Sequence, residues 1–270
     1  MSVAGIHTGI LADFNPLLPI VSKPIFTFSV GRWEVAISNH MFTVTIAMVL
    51  LLVGLPLAAR SRKPVPRGLQ NLVESVCVFL REQLAMPILY ERTDQYIGFV
   101  WTTFFFVLSL NLLGMIPIGR AVVLLTGKDS RLGGPATANI WVTGAMAIIA
   151  FFMTHISGIK EQGFWRYIVN LAPPVPWWLK PFIYLLEIIS SFIKPFTLAI
   201  RLFANMIAGH MILATLLGLI FIFKNYGVAV ASVLGVVALS FIELLIAFLQ
   251  AYVFTLLSTL YIGLSIAPEH

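Results

Sequence analysis

Five apolar stretches long enough to cross a bilayer dominate this sequence, and two of them are longer than a single crossing requires. The three of ordinary length are residues 41–59, 95–118 and 137–159. A membrane-spanning helix needs about 20 apolar residues. Only 10% of the 270 residues are charged, against about 25% in a typical soluble chain. Lipid is therefore the expected solvent, and the sequence predicts an all-α integral membrane protein with about five membrane helices.

The two overlong stretches lie at residues 178–222 and 228–263. As helices they would be about 65 and 54 Å long, whereas the hydrocarbon core is about 30 Å thick. Each is expected either to break into pieces or to lie steeply tilted, and Pro195 is a candidate kink in the first. Residues 224–227 form a plausible turn, which would join the two into a strongly tilted hairpin over about residues 178–263.

Residues 65–90 have an amphipathic rather than a uniformly apolar pattern. At about 100° per residue, one helix face is apolar and the opposite face is charged or amide-bearing. The apolar face carries Leu69, Leu72, Val73, Val76, Phe79, Leu80 and Leu84. Such a helix is predicted to lie on the membrane surface rather than to cross it.

The first 36 residues are interrupted by Asp13, Pro16 and Pro19, which is unlike a cleaved signal peptide. They are predicted to be an N-terminal extramembrane segment, and residues 37–270 to be a single membrane domain. The single cysteine, Cys77, excludes an internal disulfide and a cysteine-based metal site. The net charge of +6 does not indicate nucleic-acid binding, because no basic patch is interleaved with aromatic residues.

Basic residues in the loops predict the orientation. If the cluster at residues 60–67 is cytoplasmic, that side carries nine Lys and Arg residues and the other side six. This bias places the C-terminus in the cytoplasm and the N-terminus outside, and a bacterial inner membrane is the expected location.

A stripe of polar residues runs along the first overlong segment. Its members are Glu187, Ser190, Lys194, Thr197, Arg201 and Asn205. Their spacings of three and four place all six on one helix face. A charge at mid-bilayer costs about 2.5–3.5 kcal/mol or more, so intramembrane charges usually mark function. Purely structural roles are the alternatives. Lys194 would extend to the membrane interface, and Ser190 and Thr197 would pack against neighbouring helices. Arg201 would form an ion pair with Glu187 or Glu243.

The second overlong segment carries Glu243 and Gln250, seven residues apart on one face. His210 lies nearly opposite Arg201 on its own helix and would meet Glu243 if the two segments form a hairpin. An imidazole and a carboxylate together can pass protons near neutral pH. His155, near a helix end, is expected to be only a satisfied buried histidine.

The residues in these two segments resemble a known family. The run SFIKPFTLAIRLFANMIAGH, followed by ELLIAFLQAYVFTLLSTLYIGL, is similar to subunit a of the F-type ATP synthases. The similarity extends to NLLGMIP and PATANIWVTGAMAI and covers most of residues 40–265. The resemblance implies that Arg201 is the family's indispensable arginine, with Asn205 and Gln250 its asparagine and glutamine. It also implies two very tilted helices.

The resemblance further implies a function as a proton-translocating subunit without a catalytic site, cofactor or metal of its own. Arg201 would face a rotating ring of hairpin subunits (subunit c), each with a membrane carboxylate, between two half-channels. His210, Glu243, Asn205 and Gln250 are assigned to the external half-channel. Glu187, Ser190 and Lys194 are assigned to the cytoplasmic one. Peripheral-stalk subunit b and the lipid bilayer are the other expected partners. The His210 and Glu243 positions carry an acid and a histidine in many bacterial members, so the pair is exchanged here.

Two other classes of function compete with this interpretation. A stand-alone ion or proton antiporter would explain intramembrane charges, but such folds usually contain two related halves, which the sequence lacks. An intramembrane enzyme would need a nucleophile on a strained turn or clustered acids. The sequence contains no G-x-S-x-G motif and no such cluster in its apolar segments.

Overall fold

Two short strands and a series of helices make up the computed structural model, which describes residues 24–30, 33–59, 68–116, 134–171 and 176–266. The strands are β1 (Pro24–Val30) and β2 (Trp33–Ser38). The helices are α1 (Asn39–Ala59), α2 (Leu69–Phe79), α3 (Met86–Leu89), α4 (Thr93–Met115), α5 (Ile140–Gln162), α6 (Phe164–Val169), α7 (Lys180–Phe223) and α8 (Tyr226–Ile266). A π-helical turn at Leu80–Ala85 and 3₁₀ turns at Tyr90–Arg92 and Ala136–Ala138 complete the elements.

Five helical segments of the described residues are long and apolar enough to cross a membrane. They are Asn39–Leu57, Gln70–Met115, Ile140–Gln162, Lys180–Phe223 and Tyr226–Ile266. In each of the last two, only 11% of the most apolar stretch is buried inside the chain. Apolar surface of this extent must be covered by lipid or by other subunits. The predicted helical membrane protein with about five membrane helices is confirmed.

The strands β1 and β2 were not predicted from the sequence. They pair antiparallel, with Val30 opposite Trp33 and Phe28 opposite Val35. Aromatic and β-branched residues favour this conformation. The predicted boundary between an extramembrane segment and the membrane domain, at residue 36, falls within β2 and stays a prediction. Residues 1–23 and the basic cluster at 60–67 lie outside the described residues.

The two overlong segments are each one uninterrupted helix. The 44-residue helix α7 continues through Pro195, and α8 has 41 residues. At 1.5 Å per residue both exceed 60 Å, about twice the hydrocarbon thickness. The predicted turn between them is present: Lys224 has a positive φ of 47°, and the Asn225 side chain accepts a hydrogen bond from the Gly227 amide at 2.8 Å. Asn225 thereby caps the first turn of α8.

The amphipathic segment is helical as predicted, but its apolar face is divided. Leu80 and Leu84 are buried, whereas Leu72 and Phe79, placed on the same predicted face, are exposed. The segment ends at Tyr90, whose φ of 49° is incompatible with a continuous α-helix. Its location on the membrane surface stays a prediction.

The chain divides into two compact units, and both long helices contribute to each. The first unit holds the described residues of Met1–Val44, Leu110–Asn139 and Phe203–Leu249. The second holds those of Thr45–Ser109, Ile140–Leu202 and Gln250–His270. The second unit has its own apolar core, in which Phe104 and Phe254 are almost fully buried. That core includes Leu198 and Leu202, which lie on either side of Arg201 in α7, and Ala251, which follows Gln250 in α8.

Candidate functional site

The predicted polar stripe lies on α7, and its first five members belong to the second unit. Because α7 is unbroken from Lys180 to Phe223, the spacing that places these residues on one face is preserved. Glu187, Ser190 and Lys194 are partly buried, whereas Thr197 and Arg201 are exposed. The Thr197 hydroxyl donates to the Ile193 carbonyl of its own helix at 2.9 Å. The Thr197 hydroxyl therefore has its hydrogen-bond partner within α7. Of the six stripe residues, Thr197 has the least structural support for a role in function.

Glu187 and Lys194 neutralise each other. The Lys194 Nζ atom lies 3.1 Å from the Glu187 Oε1 atom, and about a third of each side chain is exposed. The ammonium group also lies 5.7 Å from the centroid of the Tyr261 ring on α8, within range of a cation–π interaction. Lys194 is thus held by two partners rather than extended freely toward the interface.

Arg201 occupies the middle of α7 as the 22nd of its 44 residues. Its neighbours on the exposed surface of the second unit include Phe196 and Ile200, which are 63% and 39% exposed. Within the described residues of that unit, no carboxylate forms an ion pair with Arg201, since Glu187 is paired with Lys194. The unit therefore presents a permanent cation on an apolar exterior.

Three helices of the first unit converge around His210 and Glu243. The imidazole of His210 is hydrogen-bonded to the backbone of Gly114 on α4. One turn earlier on α4, the Asn111 side chain donates to the Ala247 carbonyl of α8 at 3.3 Å. Both contacts join α4 to the long helices.

Close packing of α7 against α8 depends on Gly209, the neighbour of His210. A Cβ atom on Gly209 would lie 2.5 Å from the Glu243 Oε1 atom, so no larger residue fits without moving the carboxylate. Gly114 is equally confined, because a Cβ there would overlap the Met206 side chain. These two glycines let Glu243 and His210 lie in one small polar region of the unit.

Several polar atoms in this region are buried without a hydrogen-bond partner. They are His210 Nε2, Glu243 Oε1 and Asn111 Oδ1. Buried polar atoms in proteins are normally paired, so each of these requires a water, an ion or a transferable proton. His210 and Glu243 were predicted to meet as a proton-passing pair, but His210 Nε2 and Glu243 Oε1 form no hydrogen bond with each other. Asn111 was missed as a site residue, because its amide meets α8 only through packing across 136 residues of sequence.

The remaining predicted residues are placed as follows. Asn205 is partly buried on α7 in the first unit, one turn beyond Arg201 in sequence. Gln250 is 6% exposed on α8 in the second unit, an unusual degree of burial for an amide side chain in an apolar helix. Among the described residues, no group of three His, Cys, Asp or Glu side chains is positioned to hold a metal ion.

A second polar cluster was not predicted. It consists of His155, Tyr167, Ser191 and Ser265, which come from α5, α6, α7 and α8 of the second unit. His155 is satisfied, as expected from the sequence, because both of its ring nitrogens have hydroxyl partners. Burial raises the pKa of Tyr167, and the Glu187 charge adds to this rise.

Comparison with known proteins identifies the family. The family model for the ATP synthase A chain matches residues 41–263. ATP synthase subunit a of Chloroherpeton thalassium is 36% identical over 95% of this chain and 74% of its own length. That of Myxococcus xanthus is 38% identical over 89% of this chain and 76% of its own length. ATP synthase subunit a 2 of Chlorobaculum tepidum is 37% identical over 88% of this chain and 65% of its own length. The chain therefore belongs to the ATP synthase A chain family.

Proposed function

We propose that this chain is the proton-channel subunit of an F-type ATP synthase, and that Arg201 is the fixed cation facing the carboxylates of a rotating ring. The observation that carries the proposal is the position of Arg201 on α7. It is a charge at the midpoint of a 44-residue apolar helix, exposed at the surface of its unit and without a carboxylate partner there.

A guanidinium in this position needs an anion from outside the chain. Arginine stays charged, because its pKa is above about 12. A partner carboxylate at 4 Å would gain about 4 kcal/mol at an effective dielectric constant of 20. This gain is comparable to the cost of about 2.5–3.5 kcal/mol for an arginine at mid-bilayer. A ring carboxylate that loses its proton on reaching Arg201 would therefore be stabilised as the anion, whereas one facing lipid would stay neutral.

Arg201 also blocks direct leakage, because a group that cannot release its proton cannot relay one. Protons must then reach the ring carboxylate from one side of the membrane and leave it toward the other. Rotation of the ring is the only connection between the two half-channels.

The external half-channel is assigned to His210, Glu243, Asn205 and Gln250, with Asn111 added. Unpartnered buried atoms of His210, Glu243 and Asn111 support this assignment, because hydrated or proton-carrying sites require such atoms. With one ring nitrogen engaged by Gly114, the other nitrogen of His210 is available for proton exchange.

The cytoplasmic half-channel is assigned to Glu187, Ser190 and Lys194. The paired charges of Glu187 and Lys194 give this stretch polarity without net charge, so it can hold water without attracting the ring carboxylate away from Arg201. The C-terminus is assigned to the cytoplasm and the N-terminus to the outside of a bacterial inner membrane. Subunit c of the ring and peripheral-stalk subunit b are the proposed partners.

ATP-driven proton pumping by membrane vesicles tests the proposal. Vesicles carrying the assembled complex with Arg201→Ala should show no ATP-driven acidification. The matched control is Lys224→Ala, which removes a cation at the α7–α8 turn rather than in the apolar run. It should pump at close to the wild-type rate. Pumping by Arg201→Ala at that rate would show that the polar stripe is structural.

A further inference from the structure

The cluster of His155, Tyr167, Ser191 and Ser265, here called the His155 cluster, forms one unbroken hydrogen-bonded chain. Ser191 Oγ lies 2.9 Å from His155 Nε2, and His155 Nδ1 lies 2.5 Å from the Tyr167 hydroxyl. Tyr167 is hydrogen-bonded to the Ser265 side chain. The Ser265 hydroxyl in turn donates to the Thr154 carbonyl at 2.9 Å.

Counting the hydrogen-bond donors fixes the direction of each hydrogen bond in this series. Since the single proton of Ser265 goes to the Thr154 carbonyl, Ser265 must accept from Tyr167. Tyr167 must then accept from the Nδ1–H group of His155. The opposite nitrogen, Nε2, is left as the acceptor of the Ser191 hydroxyl. His155 is therefore neutral with its proton on Nδ1, and the Tyr167 and Ser265 hydroxyls both donate and accept.

The surrounding residues hold the cluster in place. Gly158 lies one turn after His155 on α5, and a Cβ atom there would overlap both Ser265 Oγ and the Tyr167 ring. The Gln162 side chain donates to the Ser265 carbonyl at 2.7 Å. The ring centroid of Phe151 lies 4.2 Å from that of His155. The imidazole is thus packed on one side and hydrogen-bonded at both nitrogens.

The cluster adjoins the charged pair of the polar stripe. Ser191 lies four residues after Glu187 and three before Lys194, so all three occupy neighbouring positions on α7. The Lys194 charge acts on His155, and the Glu187 charge acts on Tyr167. From α5, the Thr154 carbonyl and the Gln162 side chain both contact Ser265. Tyr261 on α8 contacts Lys194 rather than the cluster directly.

We propose that the His155 cluster is a proton relay of the cytoplasmic half-channel, in which His155 accepts protons from the Glu187–Lys194 stretch and passes them through Tyr167 toward the cytoplasm. This inference rests on the proposed function. A proton delivered to Ser191 displaces the hydroxyl proton onto Nε2, and the Nδ1 proton leaves for Tyr167. The Tyr167 proton moves to Ser265, whose hydroxyl turns away from the Thr154 carbonyl and releases its own proton toward the cytoplasm. Each group ends with the number of protons it began with, but His155 then carries its proton on Nε2, so the Nδ1–H form must be restored before the next transfer.

An imidazole can accept a proton at one ring nitrogen while it releases one from the other, which suits a group in a relay. A wholly structural cluster would tie the helices together equally well. A structural cluster would not make proton transfer through the cytoplasmic half-channel depend on a titratable group of the cluster, and this difference separates the two roles.

The test measures ATP-driven pumping by complexes reconstituted with the catalytic sector outward, in which protons enter from the outer medium and the relay runs in reverse, from Tyr167 toward Ser191. The outer pH is varied between about 5.5 and 8.5, with the inner pH fixed. His155→Gln should lower the pumping rate by about tenfold or more and flatten its dependence on outer pH. Imidazole added to the outer medium should restore part of the rate. Tyr167→Phe, which keeps the ring but removes the hydroxyl, should behave like His155→Gln.

Phe151→Leu is the matched control, since it alters the packing of His155 without removing a titratable group; it should keep the wild-type pH profile. If His155→Gln keeps that profile, or slows equally at every pH without rescue by imidazole, the cluster is structural and the inference is wrong. Arg201→Ala, measured in parallel, distinguishes failure of this inference from failure of the proposed function. Normal pumping by that variant would overturn the proposed function itself, whatever His155→Gln does.

Discussion

The ammonium group of Lys194 lies 3.1 Å from the carboxylate of Glu187, two turns earlier on the same helix. Because Glu187 is the one carboxylate of the polar stripe and is paired with Lys194, the stripe offers Arg201 no free carboxylate. A polar stripe with two cations and one anion therefore has its uncompensated charge at Arg201. The excess charge lies at the position where a partner's carboxylate is expected.

The Glu187–Lys194 pair should contribute little to stability. Both side chains are about one-third exposed, so solvent screens their attraction, and a coupling of about 0.5–1 kcal/mol is expected. A double-mutant cycle with Glu187→Gln and Lys194→Met, followed by thermal unfolding in detergent, measures this coupling. A coupling of several kcal/mol would mean that the pair is a major structural element rather than a polar lining.

Gly209 should not tolerate a side chain. Gly209→Ala would bring a Cβ atom within 2.5 Å of Glu243 Oε1. Moving the carboxylate should destabilise the protein by about 1–3 kcal/mol and slow proton uptake from the outside. The control is Gly54→Ala on α1, where nothing lies within 4 Å of the added atom. There the change should be neutral or stabilising by about 0.5–1 kcal/mol. Equal behaviour of the two variants in unfolding and pumping assays would contradict the packing described for Glu243.

Removing the Asn111 amide should affect both packing and proton uptake. Asn111→Leu deletes the hydrogen bond to the Ala247 carbonyl, which costs about 1 kcal/mol, and removes one unpartnered acceptor from the polar region. Thr102→Val on the same helix is a suitable control, since its hydroxyl bonds only to the Gly98 carbonyl of its own helix. Passive proton uptake should fall in the Asn111 variant and not in the control. Unchanged uptake in both would remove Asn111 from the pathway.

Alkaline conditions should destabilise the region around Tyr167. Burial raises the pKa of Tyr167, so the folded state holds the phenol proton more tightly than the unfolded state does. The stabilisation is complete below the unfolded pKa of about 10 and is lost as the pH rises through the folded value. Thermal unfolding of the wild type and of Tyr167→Phe between about pH 8 and 11 should show that the variant loses less stability as the pH rises. Identical pH dependence would mean that Tyr167 ionises equally in both states.

The sequence predicted the features that depend on local pattern. The long helices follow from uninterrupted apolar runs, and the turn between them follows from Lys224, Asn225 and Gly227, which end one helix and cap the next. The position of Arg201 within α7 follows from helix length alone. The pairing of Glu187 with Lys194 was not predicted, since the sequence analysis considered Arg201 as the partner of Glu187 and an extended Lys194.

Long-range contacts were not predictable in this way. Asn111 meets Ala247, and Ser265 meets Thr154, only because separate helices pack at those points. The strands β1 and β2 were missed, because their alternating pattern is short and lies beside a proline-interrupted segment. For His155, burial was expected, but a lone histidine gave no indication of the hydroxyl groups on three other helices that surround it.

Passive proton flux through complexes stripped of the catalytic sector tests the central claim most directly. With a fixed membrane potential, wild-type complexes should conduct protons only through the ring, so a reagent that modifies the ring carboxylate should block them. Arg201→Ala should connect the two half-channels and give a flux that persists after this block. If flux through Arg201→Ala remains fully sensitive to the block, Arg201 is not the barrier between the half-channels, and the account is contradicted.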